Sequence, residues 1–390
     1  MRPRTIKQDI YCLGAVDWDR RLFDSLIPLP DGTTYNAYLV EGTKKTVLID
    51  AVDPDMEHIL LYQLKNTDKI DYVVSLHAEQ DHSGAIPAVL AKYPQAKVIT
   101  SQKAKSMLMD LLHIPEQSII TVADGETLEL GGKTLEFIYT PWVHWPETMV
   151  AYLQEEKILF SCDFFGSHIA SSDIFVVDEA RVYEAAKRYF AEIMLPFRGA
   201  IIAKNMDKLS KYDIQMIAPS HGQIYDNPKM IMDAYRQWLD DKPKNLVVLP
   251  YVSMHNSTKE MVEHFVSALV ERGVGVEQFD LTVTDTGKLA ISLVDAATIV
   301  LGTPTVLAGP HPVVANAAFL ANALRPKARF VSIIGSYGWG GRTVDVLAGM
   351  IPNIKAEVLE PILCKGKPTE EVFQKLSNLA DIIAAKHKEI

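Results

Sequence analysis

The stretch Asp71-Tyr72-Val73-Val74-Ser75-Leu76-His77-Ala78-Glu79-Gln80-Asp81-His82-Ser83-Gly84 reads as an apolar β-strand that runs straight into four metal-binding groups just before a helix. His77, Glu79, Asp81 and His82 fall within six residues. Burying so many titratable groups together is unfavourable unless they are paired or bound to metal. In an extended segment His77, Glu79 and Asp81 share one side, and His82 swings across where the chain turns. Two neighbouring metals could then share the set. A solvated polar loop is the plain alternative for this segment taken alone.

Three more polar groups stand just past apolar strands. His144 follows TLEFIYT at 134–140, Asp163 follows the strand ending in ILFS at 158–161, and His221 follows MIAPS at 216–220. Strands of one layer can converge such ends on one cleft, although each residue alone reads as an ordinary loop position. Cys162, next to Asp163, is expected on the opposite strand face as a core thiol. Asp50 closes the strand TVLID and either orients the metal loop or simply turns the chain. His58, His113, His264 and His387 lie in helical patterns, where solvated faces are expected.

The wider chain sets bounds. Its 390 residues favour two domains, and a composition of 48% hydrophobic and 23% charged residues is that of a globular protein. A net charge of -10 gives no reason to expect nucleic acid or anionic lipid as a partner. The three cysteines, Cys12, Cys162 and Cys364, form no CxxC pair and suit a reducing cytoplasm. No apolar run reaches the roughly 18 residues of a membrane span, and no signal peptide is apparent.

Up to about residue 160, short strands (36–40, 46–50, 71–76, 97–100 and 134–140) mix with helical patterns at 55–65, 83–93 and 102–112. Helical stretches at 179–211 and 227–240 lead to the polar segment Asp240-Asp241-Lys242-Pro243-Lys244-Asn245, the expected domain boundary. Beyond it, strands at 246–252, 274–281, 298–302, 329–335 and 356–363 alternate with helices at 258–272, 286–295, 312–324, 341–350 and 368–386. This rhythm implies a doubly wound parallel sheet. Its strand ends carry three loops: Ser253-Met254-His255-Asn256-Ser257-Thr258, Gly302-Thr303-Pro304-Thr305, and Gly335-Ser336-Tyr337-Gly338-Trp339-Gly340-Gly341. The first offers hydroxyls and backbone N–H groups at a helix start, an anion cradle, although such residues are also plain N-caps. Glycines in the third allow close approach to a planar ring on which Trp339 could stack. No GxGxxG follows a strand, which excludes a dinucleotide site.

The HxExDH hexad, followed in order by His144, Asp163 and His221, resembles the metallo-β-lactamase-fold domain of flavodiiron proteins. Glu79 stands where the wider superfamily carries histidine, and a carboxylate there suits iron more than zinc. The resemblance implies that His77, Glu79 and His144 hold one iron, that Asp81, His82 and His221 hold the other, and that Asp163 bridges them. His168 resembles a histidine that backs such ligands. The three later loops resemble flavodoxin's FMN site, with Asn256-Ser257 where glycine is common. The fold expected is therefore α/β: residues 1–243 a metallo-β-lactamase-like αββα sandwich with a diiron site, and residues 246–390 a flavodoxin-like domain with FMN.

The activity implied by this resemblance is electron transfer from FMN to two non-haem irons that reduce dioxygen to water, nitric oxide to nitrous oxide, or both. With no CxxC pairs for a rubredoxin module, electrons would come from a separate donor, such as rubredoxin or a reduced deazaflavin. A head-to-tail homodimer, or a dimer of dimers, is also implied. The competing readings are a zinc hydrolase fused to a flavodoxin-like domain, and an FMN electron carrier with no enzymatic activity.

Overall fold

The computed structural model of the chain describes residues 3–390, which divide into two compact units, one ending at Leu239 and the other running Asp240–Ile390. The first unit contains two sheets. One has seven strands in chain order: Arg4–Lys7, Ile10–Asp17, Thr33–Glu41, Thr46–Ile49, Tyr72–Val74, Lys97–Ser101 and Ile119–Val122. Pairing is antiparallel as far as Thr46–Ile49 and parallel beyond it. The other has five: Thr127–Glu129, Thr134–Tyr139, Met149–Leu153, Ile158–Cys162 and Met216–Pro219, antiparallel except for the last pair.

The strands of the first sheet are nearly continuous apolar runs because both faces are buried. Alternation divides them. Leu13, Leu39, Leu48 and Val73 face a core shared with Leu60, Ile86 and Leu108 of the helices Glu57–Gln63, Ile86–Lys92 and Gln102–Leu112. Cys12, Tyr38, Val47 and Val74 face a second core with Phe137, Phe160 and Ala218 of the other sheet. Helices Glu179–Tyr189 and Pro228–Leu239 complete the αββα layering, with Tyr235 and Trp238 packed against Phe190 at ring separations of 5.2 Å.

Two helical expectations change. The helix expected from residue 83 begins earlier, as Gln80–Ser83. The Ser83 hydroxyl donates to the Ala78 and Glu79 carbonyls and pulls Asp81 and His82 into a helical turn. The stretch 179–211 is not one helix, because Pro196 and Gly199 interrupt it between Tyr189 and Ala203.

In the second unit the sheet order is Gly275–Asp280, Leu246–Tyr251, Thr298–Val306, Phe330–Tyr337, then Glu357–Val358 and Ile362–Lys365, all parallel. The first crossover goes one way and the later ones the other, which makes a doubly wound sheet with its switch point beside Leu246–Tyr251. The fifth strand, expected over 356–363, comes in two pieces, and Pro361, which lacks an N–H, lies in the break. Among the described residues no helix is long and apolar enough to cross a membrane.

The final helix, Glu370–His387, buries a stripe of Leu376, Ala380, Ile383 and His387. His387 is thus buried, not solvated as its helical pattern suggested. Asn245 donates its amide N–H to the Gly273 carbonyl, so its oxygen is left to accept from His387 Nδ1 at 2.8 Å. His387 Nε2 then accepts from the Thr298 hydroxyl at 2.7 Å. Burial holds this ring below the usual imidazole pKa. The unfolded chain takes up the proton near pH 6.5, so the stability from this contact is complete above that pH and is lost as pH falls towards the lower folded value. Protection factors of helix 370–387, corrected for the intrinsic exchange rate at each pH, should therefore fall between pH 7 and pH 5, and His387→Gln should flatten that dependence.

Candidate functional sites

The ends of four segments converge in the first unit. His77, Glu79, His144 and Asp163 form one group of donor atoms and Asp81, His82 and His221 another, each within 4.8 Å. His77 Nε2 lies 3.0 Å from Glu79 Oε2, and His144 Nε2 lies 3.1 Å from the same oxygen. His221 Nε2 lies 3.0 Å from Asp81 Oδ2. Asp163 lies between the groups. Its Oδ2 is 3.5 Å from both His77 and His144, and its Oδ1 is 3.0 Å from His82.

These atoms approach one another without satisfying one another. Both oxygens of Asp81, His82 Nε2 and Asp163 Oδ2 are buried with no hydrogen-bond partner. Native proteins seldom leave such atoms orphaned. Lone pairs that converge in this way fit cations placed between them, and the mixed carboxylate and imidazole donors suit iron.

The rings are oriented from behind. His77 Nδ1 donates to Glu147 Oε1 at 2.6 Å, and the Ala78 N–H shares that oxygen. His221 Nδ1 donates to the Thr34 carbonyl at 2.6 Å. In each neutral ring this leaves the Nε2 lone pair facing the cluster. Asp50 accepts from the Leu76 N–H at 2.8 Å and from the Ser220 hydroxyl at 3.1 Å, so one buried carboxylate joins the segments that carry His77 and His221. The Tyr189 hydroxyl donates to Asp163 Oδ1 at 2.7 Å. Gly222, at φ +83°, has no room for a side chain, since a Cβ there would lie 2.0 Å from Ser167 Oγ. Sequence reasoning missed Glu147, Thr34 and Tyr189. Only Glu147 left a trace, as a carboxylate three residues after His144.

Desolvation is the largest single influence on His77, His82 and Asp163, and it opposes their charged forms. It is outweighed in each case. Hydrogen bonds to Glu147 and Glu79 hold His77 well above the usual imidazole range, and the charges of Asp163 and Asp81 do the same for His82. The charge of His82 holds Asp163 well below the usual carboxylate range. The pocket favours positive charge.

His168 belongs to neither group. It stands behind His221, with ring centroids 4.8 Å apart, and its Nδ1 meets the Thr33 hydroxyl at 2.9 Å. Burial, with help from the charge of His221, holds it well below the usual range and so neutral. Cys162 is the buried core thiol that alternation expects, on the same side as Ile158 and Phe160, and it also lies beside His82 and Asp50. The pairing shifts register between Phe160 and Cys162, where φ is +51°.

In the second unit the three loops lie at the ends of Leu246–Tyr251, Thr298–Val306 and Phe330–Tyr337. Asn256 adopts φ +66°, the left-handed conformation that glycine would otherwise supply and that asparagine tolerates. Ser253 Oγ accepts from the Lys259 N–H at 3.1 Å, and Thr258 and Ser336 share a buried hydrogen bond of 3.0 Å that ties the first loop to the third. Met254 and His255 are exposed, and Ser257 is partly buried at the helix start. Thr303 and Pro304 are buried, and Thr303 Oγ1 accepts from the His311 N–H at 3.0 Å. Gly335 permits this closeness, since a Cβ would lie 1.9 Å from the Thr303 carbonyl oxygen. A cleft of about 380 Å³ is lined by Thr305, Tyr337, Gly340 and Thr343 among others. Gly338 and Trp339 stand exposed beside it, Trp339 at 75%.

Residues 33–222 match the family model described as ODP family beta lactamase. A nitric oxide reductase of Moorella thermoacetica is 36% identical, with 99% of each chain covered. The solved rubredoxin oxygen:oxidoreductase of Desulfovibrio gigas superposes with a TM-score of 0.95 at 31% identity, covering 100% of this chain and 99% of that one. The flavodiiron protein of Giardia intestinalis gives 0.94 at 27% identity, covering 100% and 97%. The chain belongs to the flavodiiron protein family of oxidoreductases.

Proposed function

We propose that the chain passes electrons from an external donor through FMN to two irons that reduce dioxygen to water, nitric oxide to nitrous oxide, or both. The observation that carries this reading is the split donor set: Asp163 presents one oxygen to each of two groups, and both Asp81 oxygens, His82 Nε2 and Asp163 Oδ2 are buried without partners. His77, Glu79 and His144 would hold one iron, Asp81, His82 and His221 the other, and Asp163 would bridge them. Bound FMN and iron supply the redox chemistry and a Lewis-acidic place for a diatomic gas.

The chain's own residues supply position. Glu147 and Thr34 aim the lone pairs of His77 and His221. Tyr189 gives Asp163 Oδ1 a hydrogen bond that limits how far the bridging carboxylate can rotate. In the second unit, Ser253 to Thr258 would cradle the FMN phosphate on the N-terminus of helix Ser257–Glu271. Thr303 to Thr305 and Ser336 to Gly340 would flank the flavin ring, with Trp339 stacked on it. Exposed apolar side chains near these loops, Met254, Leu307 and Trp339, support a head-to-tail homodimer or a dimer of dimers in which a partner covers them. Rubredoxin or a reduced deazaflavin is the proposed donor. Buried free cysteines support a cytoplasmic setting.

Purified without oxygen, the protein should contain two irons and one FMN per chain and should turn over at least one gas with a chemically reduced donor. Stoichiometric zinc with no turnover of either gas, even after iron reconstitution, would overturn the reading. Asp163→Asn should lower bound iron while leaving FMN in place, and Trp339→Ala should weaken FMN while leaving iron. Glu147→Ala should weaken metal affinity roughly 10- to 100-fold, measured by competition with a chelator, and Glu147→Gln should recover part of that loss.

A further inference from the structure

His82 belongs to two groups of donor atoms at once. Its Nε2 faces Asp81 and Asp163 at 3.3 and 3.0 Å. The same ring joins Asp50 and the Cys162 thiol in a second buried group whose donor atoms also lie within 4.8 Å of one another. Nε2 is left without a hydrogen-bond partner, as a metal ligand would be, and the ring has sulfur and a carboxylate close beside it.

Cys162 ends its strand at a local irregularity. The register shifts after Phe160, Cys162 has a positive φ, and its side chain lies in the core beside Asp50. Asp50 cannot follow a moving partner, because the Leu76 N–H and the Ser220 hydroxyl hold its two oxygens. The thiol is thus enclosed between a fixed carboxylate, which can only accept, and an imidazole, which can donate. His77 and His221 have their Nδ1 atoms held by Glu147 and by the Thr34 carbonyl. For His82 the neighbours available for that part are this thiol and Asp50.

We propose that Cys162 is a positioning residue for His82: its S–H donates to Asp50, its sulfur accepts from His82 Nδ1, and the ring is thereby fixed with its Nε2 lone pair on the metal side. This rests on the reading of His82 as a metal ligand. A consequence follows from acceptor strength. Thiol sulfur accepts weakly, whereas the Glu147 carboxylate that holds His77 accepts strongly. The position built on His77 is therefore the tighter of the two and fills first.

The test titrates the metal-free full-length protein with Co(II) alone and follows its visible absorbance. Wild-type protein should take up cobalt in two resolved steps. Cys162→Ala should weaken the second step about tenfold or more and leave the first within about twofold, and Cys162→Ser, which keeps a donor and an acceptor, should restore most of the loss. In zinc-loaded protein, which is diamagnetic, the Nδ1 proton of His82 should appear in histidine-selective ¹⁵N spectra as a slowly exchanging signal. An unchanged second step in Cys162→Ala, or equal weakening of both steps, overturns the proposal. So does a wild-type His82 Nδ1 proton that exchanges as fast as that of exposed His58, which decides the matter even if the alanine variant does not fold. Uptake of only one metal, or none, by wild-type protein would instead sink the assignment of the ligands.

Discussion

Three carboxylates, Glu79, Asp81 and Asp163, are confined to a pocket that water barely enters, and this crowding is the constraint to which the first unit answers. At a separation of 4.8 Å, the limit for Glu79 and Asp163, two unit charges repel by about 3.5 kcal/mol at an effective dielectric of about 20. Such a group survives in a folded protein only with positive charge among its members. Without metal, protons on His77 and His82 supply it, which is why both rings lie so far above their usual range. Divalent cations would compete for the same lone pairs and displace those protons.

That constraint explains what surrounds the pocket. A ring that can rotate presents its lone pair only part of the time, so each buried ligand histidine benefits from a partner behind it. The partners come from elements far apart in the chain: Thr34 from the strand Thr33–Glu41, Glu147 from the turn before Met149–Leu153, and Asp50 from the end of Thr46–Ile49. Converging strand ends supply the ligands, and neighbouring strand ends supply the groups that aim them. The αββα layering is the means by which so many ends meet.

The convergence of the seven donor residues was legible in the sequence because each follows an apolar strand, where an unneeded charge would be a liability. Their supports were not, because a carbonyl such as that of Thr34 has no sequence signature, and Glu147 reads as any turn carboxylate until its 2.6 Å contact with His77 is seen. Cys162 was legible as a buried core thiol, but its place beside His82 and Asp50 was not, because alternation says which face a side chain takes and not which neighbours meet it there. The three loops of the second unit were legible only in outline. Their shape is set largely by backbone and by the absence of side chains, as at Gly335, so residue identity carries less information there. Asn256 shows the same limit, since its left-handed backbone meets a glycine's requirement without being a glycine.

The two donor groups are not equally open. His144 and Glu79 keep 20% and 14% of their side-chain surface, whereas His82, His221 and Asp163 keep 2% and Asp81 keeps 6%. Cys162, Asp50 and the inter-sheet core close the His82 side, and Tyr189 and His168 close the side behind Asp163 and His221. A small gas would therefore approach along the Glu79 and His144 edge. The exposed edge carries the carboxylate that stands where the wider superfamily has histidine, so Glu79 borders the entrance and would offer an oxygen donor there. Anchoring and openness are divided within the first group: His77, held by Glu147, is fully buried, while His144 and Glu79 form the edge that meets solvent. The buried, anchored ring fixes that group from behind while its exposed members border the opening.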